Sequence, residues 1–345
     1  CFREKETVIY ETKNIKKNGE YIWVQTTLTP ILDKFGEISQ FIAIDADISK
    51  LKFAEQEIKQ QNEEILTQKD LLQQRNEEIN SQKEKVEEQN KHIGDSIRYA
   101  QTIQYAILPN QTEINQLFEN FIIFKPKDVV SGDFYWFSHI PDLKIIFAAV
   151  VDCTGHGVPG AFMSMIGNRL LNEIVNERKI FDPAKILSEL NNGIHLALKQ
   201  DETQNTDGMD VCLVKIDYND KENNVTVFSG AKRPLIWYKS VENELVLISA
   251  TRKTIGGIKV RNELVFENKI LNIEADDIIY LSSDGIVDQN SQDRKRFGTS
   301  RLLDFLTKNA SKPLDEQKEN LLKEISEFQK DEPQRDDITF LCLKF

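Results

Sequence analysis

Leu51, Ile58, Ile65, Leu72, Ile79, Val86 and Ile93 fall at every seventh position, and no Pro or Gly interrupts the run before Gly94. A seven-residue apolar repeat carried this far predicts a coiled-coil helix. The companion core position, four residues on, is polar: Asn62, Lys69, Asn76, Lys83 and Asn90. A polar residue buried there lowers stability and defines register, which predicts a dimer. The plainer alternative is a solvated single helix with one apolar stripe. At roughly 1.5 Å per residue, fifty helical residues span about 75 Å. Gly94 allows a break or kink. Beyond it Ile97, Ala100, Ile103, Ala106 and Ile107 continue a helical pattern that should end before Pro109.

The pattern changes on both sides of this rod. Residues 1–50 alternate with a period of two and are rich in Val, Ile, Thr, Tyr and Trp, with turn signals at Asn18-Gly19 and at Asp33-Lys34-Phe35-Gly36. That predicts a small antiparallel meander. Residues 51–108 are the rod and its linker helix, and residues 109–345 form a larger mixed domain. Strands are predicted there at 121–125, 133–138, 145–151, 211–217, 225–229, 234–238, 244–248, 278–283 and 338–344. Helices are predicted at 160–177, at 183–199 with Asp182-Pro183 as cap and first turn, at 299–309 opened by Thr299 or Ser300, and at 313–329. Strands in neighbouring runs and helices in pairs favour an α+β domain with antiparallel sheets over a parallel one.

Charge narrows the partners. The chain has 345 residues and a formal net charge of -12. That argues against a nucleic-acid binder, which needs a basic face. Cys1, Cys153, Cys212 and Cys342 lack C-x-x-C spacing and read as free thiols of a reducing, cytoplasmic compartment. No apolar run is long enough to span a membrane. Residue 1 is Cys, so the chain is expected to be a fragment.

Candidate chemistry lies where apolar runs end. "IIFAAVV" stops at Asp152, and glycines follow at 155, 157 and 160. Asp284 closes "DDIIYLSSDG", Asp133 sits in "VVSGDFYWF", and Asp336 precedes the last strand in "RDDITFLCLKF". A carboxylate at a buried strand end is costly unless it is paired or holds a cation. Four such acids from distant positions predict one site, and oxygen ligands select hard cations such as Mg2+ or Mn2+.

The motifs "SGDFYWF", "VVDCTGHGVPGAFMSMIG", "LSSDGIVDQ", "FGTSRL" and "RDDITFLCLKF", in this order, resemble the SpoIIE-type branch of the metal-dependent type-2C protein serine/threonine phosphatases. The resemblance covers about residues 118–345, and "SIRYAQTIQYAILP" resembles the segment that leads into that domain. It implies an αββα sandwich, two antiparallel sheets between helix pairs. It also implies two Mn2+ or Mg2+ ions held by Asp133, Asp152, the Cys153 carbonyl, Asp284 and Asp336, and hydrolysis by a water the ions activate. Asp152 and Asp284 would then be catalytic, and a phosphoserine protein of the anti-sigma-factor-antagonist type would be the partner. Residues Lys17 to Trp23, "KNGEYIW", with Asp47-Ile48-Ser49, resemble the C-terminal part of a PAS sensor domain.

Several residues stay open at this stage. His156 is a candidate general acid, but it stands further from the metal-binding Asp than in related branches, so a loop-shaping role is the alternative. Asp207 and Asp210 in "TDGMDVC" read as a solvated loop, with a third metal as the alternative. Lys232 and Arg233 in "GAKRPLIW" read as a solvated hairpin, with phosphate contact as the alternative. Cys153 has no neighbouring base and no C-x5-R context, so it should lend only its carbonyl. The rival functions are a non-catalytic binding module on a dimeric rod, a histidine kinase and a metal nuclease. The first needs a missing acid, the second an H-box and a nucleotide loop, and the third a basic groove. None of these is evident.

Overall fold

The computed structural model describes residues 5–218, 224–258 and 265–345. The chain divides into two compact units, Cys1–Lys91 and His92–Phe345.

In the first unit, strands β1 (Val8–Ile15), β2 (Tyr21–Leu32) and β3 (Ile38–Asp47) form an antiparallel sheet in that order. Both turns are built as their residues dictate. Gly19 and Gly36 take φ of +86° and +79°, where a side chain would be strained. The Asn18 side-chain oxygen Oδ1 accepts the Glu20 N–H, and the Asp33 carboxylate accepts the N–H groups of Phe35 and Glu37. Helix α1 (Ser49–Ile107) starts where the Ser49 hydroxyl accepts the Trp23 N–H, and Asp47 accepts the Ser49 N–H. The break that Gly94 allows does not occur: α1 is one helix of 59 residues that passes through it. All seven heptad residues are 53–61% exposed, so the apolar stripe has no cover within a single chain.

The second unit holds the end of α1 and the mixed domain. Its further elements are α2 (Gln111–Leu117), β4 (Glu119–Lys125), β5 (Phe134–Ile140), β6 (Ile145–Cys153), α3 (Gly157–Asn172), α4 (Pro183–Ala197), β7 (Gly208–Asp217) and β8 (Asn224–Ala231). There follow β9 (Leu235–Lys239), β10 (Glu244–Ile248), β11 (Ile255–Gly256), β12 (Lys269–Ile273), β13 (Ile278–Ser282), α5 (Gly298–Asn309), α6 (Leu314–Gln329) and β14 (Ile338–Lys344). One sheet runs β12-β8-β7-β6-β5, with β11 beside β7. The other runs β10-β9-β13-β14-β4. The strand pairs are antiparallel. The α+β sandwich expected from the sequence is therefore what forms.

Strand period explains the layers. Phe147, Ala149 and Val151 of β6 pack with Leu171 of α3 and Ile186 and Leu190 of α4. Their neighbours Ile146, Ala148 and Val150 face the other way, onto Ile279, Leu281, Leu341 and Leu343 of the second sheet. The far face of that sheet, with Tyr280, Phe340 and Cys342, packs with Leu302, Leu306, Leu321 and Ile325 of α5 and α6. Strands buried on both faces read as unbroken apolar runs, as "IIFAAVV" does.

Local departures have local causes. Asp182 caps α4 by accepting the Lys185 N–H, as its sequence predicts. Helix α5 instead begins at Gly298, with Phe297 at its N-cap and no side-chain cap, so neither Thr299 nor Ser300 opens it. After Asn172 the chain adds a π turn, Glu173–Glu177. Cys153, Cys212 and Cys342 are buried and unbridged, while Cys1 lies outside the described residues. No helix among the described residues is long and apolar enough to cross a membrane.

Candidate active site

Strand ends bring the acids together. Asp152 is the last residue but one of β6, and the β6–β7 register sets it opposite Asp210. Asp133 immediately precedes β5, the other neighbour of β6. Asp284 follows β13 across the sandwich, and its N–H approaches Asp152 Oδ2 at 3.4 Å. Burial pushes the Asp133 carboxyl well above the usual carboxylate range, and the charges of Asp152 and Asp337 add to the shift. Burial and then the Asp284 charge push Asp152 up to about 8, against the pull of Arg233. Asp133 Oδ2 is buried without a hydrogen-bond partner.

Arg233 corrects the sequence reading. It is not part of a solvated hairpin: its side chain is only 12% exposed, and its Nη2 lies 2.7 Å from Asp284, 3.0 Å from Asp210 and 3.6 Å from Asp152. Asp210 is likewise buried, not looped out. One oxygen accepts the Thr254 hydroxyl at 2.6 Å, and the other lies 2.9 Å from Lys232 Nζ. Lys232 itself is exposed and takes a φ of +62°. Asp207 stays outside this cluster, where its carboxylate accepts from the Asn205 side chain.

The glycines allow backbone to pack against backbone. A Cβ added at Gly132 or at Gly160 would lie 2.3 Å from the Gly155 carbonyl oxygen. That carbonyl is thus clamped between the loop bearing Asp133 and the first turns of α3. The Cys153 carbonyl oxygen points to the same place, 3.4 Å from the position of a Gly132 Cβ. At Gly285 a Cβ would stand 1.9 Å from the Asp337 carbonyl oxygen. Only glycine lets the loop after Asp284 touch the loop before β14.

Asp336 and His156 remain to be placed. In "RDD" it is Asp337 that is buried, and it accepts the N–H groups of Lys127 and Gly132, both at 2.7 Å. Asp336 is half-buried and accepts the Asp337 N–H. His156 is exposed at the start of α3, with Nδ1 2.6 Å from Asp128 and Nε2 2.9 Å from Lys127 Nζ. A lysine only donates, so Nε2 accepts and Nδ1 carries the proton toward Asp128. Burial pushes the Cys153 thiol well above its ordinary range, which leaves it protonated and poorly nucleophilic. Sequence reading missed Asp337 and did not place Asp210 or Arg233. Only the strand register and the pairing of distant loops bring those side chains in.

Among the described residues no group of three or more His, Cys, Asp and Glu side chains stands in metal-ligating geometry. The donor chemistry nevertheless fits a metal. Asp152, Asp210 and Asp284 gather against Arg233, Lys232 pairs with Asp210, the charges of Asp152 and Asp337 act on Asp133, and one buried carboxylate oxygen has no partner. An all-oxygen set with surplus negative charge suits a hard divalent ion.

Comparison with known proteins gives the family. The family described as Stage II sporulation protein E (SpoIIE) matches residues 144–345. Among solved structures, the SiaA-PP2C domain of Pseudomonas aeruginosa is 34% identical. The match covers 74% of this chain and 98% of that one, with a TM-score of 0.65. The PP2C phosphatase domain of SpoIIE from Bacillus subtilis, solved with a fragment of its regulatory domain, is 20% identical. It covers 66% of this chain and 62% of that one, with a TM-score of 0.53. The RsbU and RsbW domains of Rv1364c from Mycobacterium tuberculosis are 15% identical, covering 66% and 59% with a TM-score of 0.52. No curated protein matches. This chain belongs to the SpoIIE family and is a metal-dependent protein phosphatase of the type-2C kind.

Proposed function

We propose that the chain removes phosphate from phosphoserine or phosphothreonine on a partner protein, under the control of its N-terminal unit. The observation that carries the reading is the convergence of Asp133, Asp152 and Asp284 from three strand ends, with a buried Asp133 oxygen left unpaired. Asp133, Asp152, the Cys153 carbonyl, Asp284 and Asp336 would hold two Mn2+ or Mg2+ ions. When bound, such ions supply Lewis acidity toward phosphoryl oxygens and activate water for in-line attack. Arg233 ties three of the acids together and offsets part of their charge. Cys153 contributes only backbone. His156 would pass a proton to the leaving oxygen only after Lys127 has released its Nε2 and that nitrogen has itself taken up a proton from solvent, giving the imidazolium that Asp128 stabilises through Nδ1.

The partner suggested by the family resemblance is a phosphoprotein of the anti-sigma-factor-antagonist type. The three-stranded sheet is read as the C-terminal part of a PAS-type sensor, and α1 as half of a dimeric coiled coil. The direct test is p-nitrophenyl phosphate hydrolysis with Mn2+, with and without EDTA, followed by phosphate release from a phosphoserine peptide. Mn2+-dependent release from both substrates is expected. No turnover of either would end this reading.

A further inference from the structure

Gln104 is the buried residue of α1, at 1% exposure in a helix of 59 residues. A glutamine amide is costly to bury unless it is hydrogen-bonded. Here its oxygen accepts the Ser131 N–H at 3.0 Å. Its nitrogen donates to the Ser131 carbonyl at 2.6 Å and to the Ser164 hydroxyl of α3 at 2.9 Å. The side chain therefore pairs with both backbone groups of one residue, as a neighbouring strand would.

Ser131 stands two residues before Asp133, and its hydroxyl accepts the Asp133 N–H at 3.0 Å. Gly132, between them, donates to Asp337 and lies against the Gly155 carbonyl. The backbone that aims Asp133 is thus held from one side by Asp337 and from the other by Gln104. Ser283 and Thr339 lie beside the Asp133 carboxylate while its Oδ2 has no partner, so the loop that carries its backbone shares in setting its direction. On the reading of Asp133 as a metal acid, we propose that Gln104 is a positioning residue. Through Ser131 it sets the aim of Asp133, so the last turns of α1 belong to the metal site although they supply no ligand.

The test uses the full chain. Gln104→Met keeps the volume and removes the hydrogen bonds. Mn2+ binding is measured by calorimetry, kcat and KM for p-nitrophenyl phosphate are measured at saturating Mn2+, and amide exchange is followed at residues 131–133. Losing a residue that orients a ligand typically weakens metal binding by about 10-fold or more. The expected result is that loss, faster exchange at Ser131 and Gly132, and little change in KM. A merely structural glutamine would lower the melting temperature and leave Mn2+ affinity within about 2-fold of the parent, far short of the loss typical of an orienting residue; that outcome would overturn the proposal. If Gln104→Met does not fold, Gln104→Asn, too short to span both Ser131 groups, is read by the same criteria. A parent chain that binds no Mn2+ sinks the phosphatase reading and this inference together. A parent that binds Mn2+ while the variants bind it equally well sinks this inference alone.

Discussion

Replacing Asp152 or Asp284 by Asn keeps the size of the side chain and removes the charge that a hard cation needs. Mn2+-dependent hydrolysis should fall to background in either variant, while circular dichroism shows an unchanged fold; retained activity would remove these acids from the site. Arg233→Met asks a different question. It leaves Asp152, Asp210 and Asp284 without the cation they share. Removing one partner of a buried ion pair costs about 3–5 kcal/mol. The melting temperature should therefore drop clearly in EDTA, and Mn2+ should narrow the gap because it restores positive charge. An equal deficit with and without Mn2+ would mean that Arg233 only fills space. At this scale the sequence was informative about acids that end apolar runs beside glycine, as Asp133, Asp152 and Asp284 do. It read Asp210 as part of a solvated loop and Arg233 as part of a solvated hairpin, and it did not single out Asp337. Asp210 meets Asp152 through the pairing register of β6 and β7. Arg233 arrives from the end of β8, and Asp337 through a loop–loop contact that Gly285 permits. No local pattern records any of these.

Elements were legible where their period was long and both faces were committed. Strand β6 and helix α4 stand close to where apolar runs and the Asp182-Pro183 cap place them. Short elements were not legible. Helix α2 has seven residues and β11 two, too few for a period to register. Gly94 shows the limit of reading a single residue as punctuation. Glycine inside a helix costs about 1 kcal/mol relative to alanine, which a helix of 59 residues can absorb. A Cβ at Gly94 meets nothing within 4 Å. Gly94→Ala should therefore stabilise the helix by up to about 1 kcal/mol, seen as higher helicity and a higher melting temperature. A destabilised variant would mean that the position needs glycine's freedom, as at a hinge.

At the scale of the whole molecule, the heptad stripe from Leu51 to Ile93 has no explanation in one chain. Seven large apolar side chains, each more than half exposed, repeat at the spacing that two helices bury against each other. Asn62, Asn76 and Asn90 would then sit in the seam and weaken it while fixing its register, as polar core residues do. Two consequences can be measured on the full chain. Analytical ultracentrifugation should give a dimer, and Ile65→Lys, Leu72→Lys and Ile79→Lys together should give a monomer. Replacing Asn62, Asn76 and Asn90 by Ile should leave a dimer of higher melting temperature. If a weak seam exists so that the sensor unit can shift the pairing, the tightened rod should hold Mn2+-dependent activity at one fixed level, high or low. Activity per chain unchanged in both sets of variants would make α1 a tether. A monomeric parent would instead make the stripe a docking face for another protein. If activity per chain at saturating Mn2+ falls on monomerisation, the rod acts on the arrangement of the site as well as on the association of the chains. Gln104, on the same helix and two hydrogen-bonded steps from Asp133, is where that influence would enter.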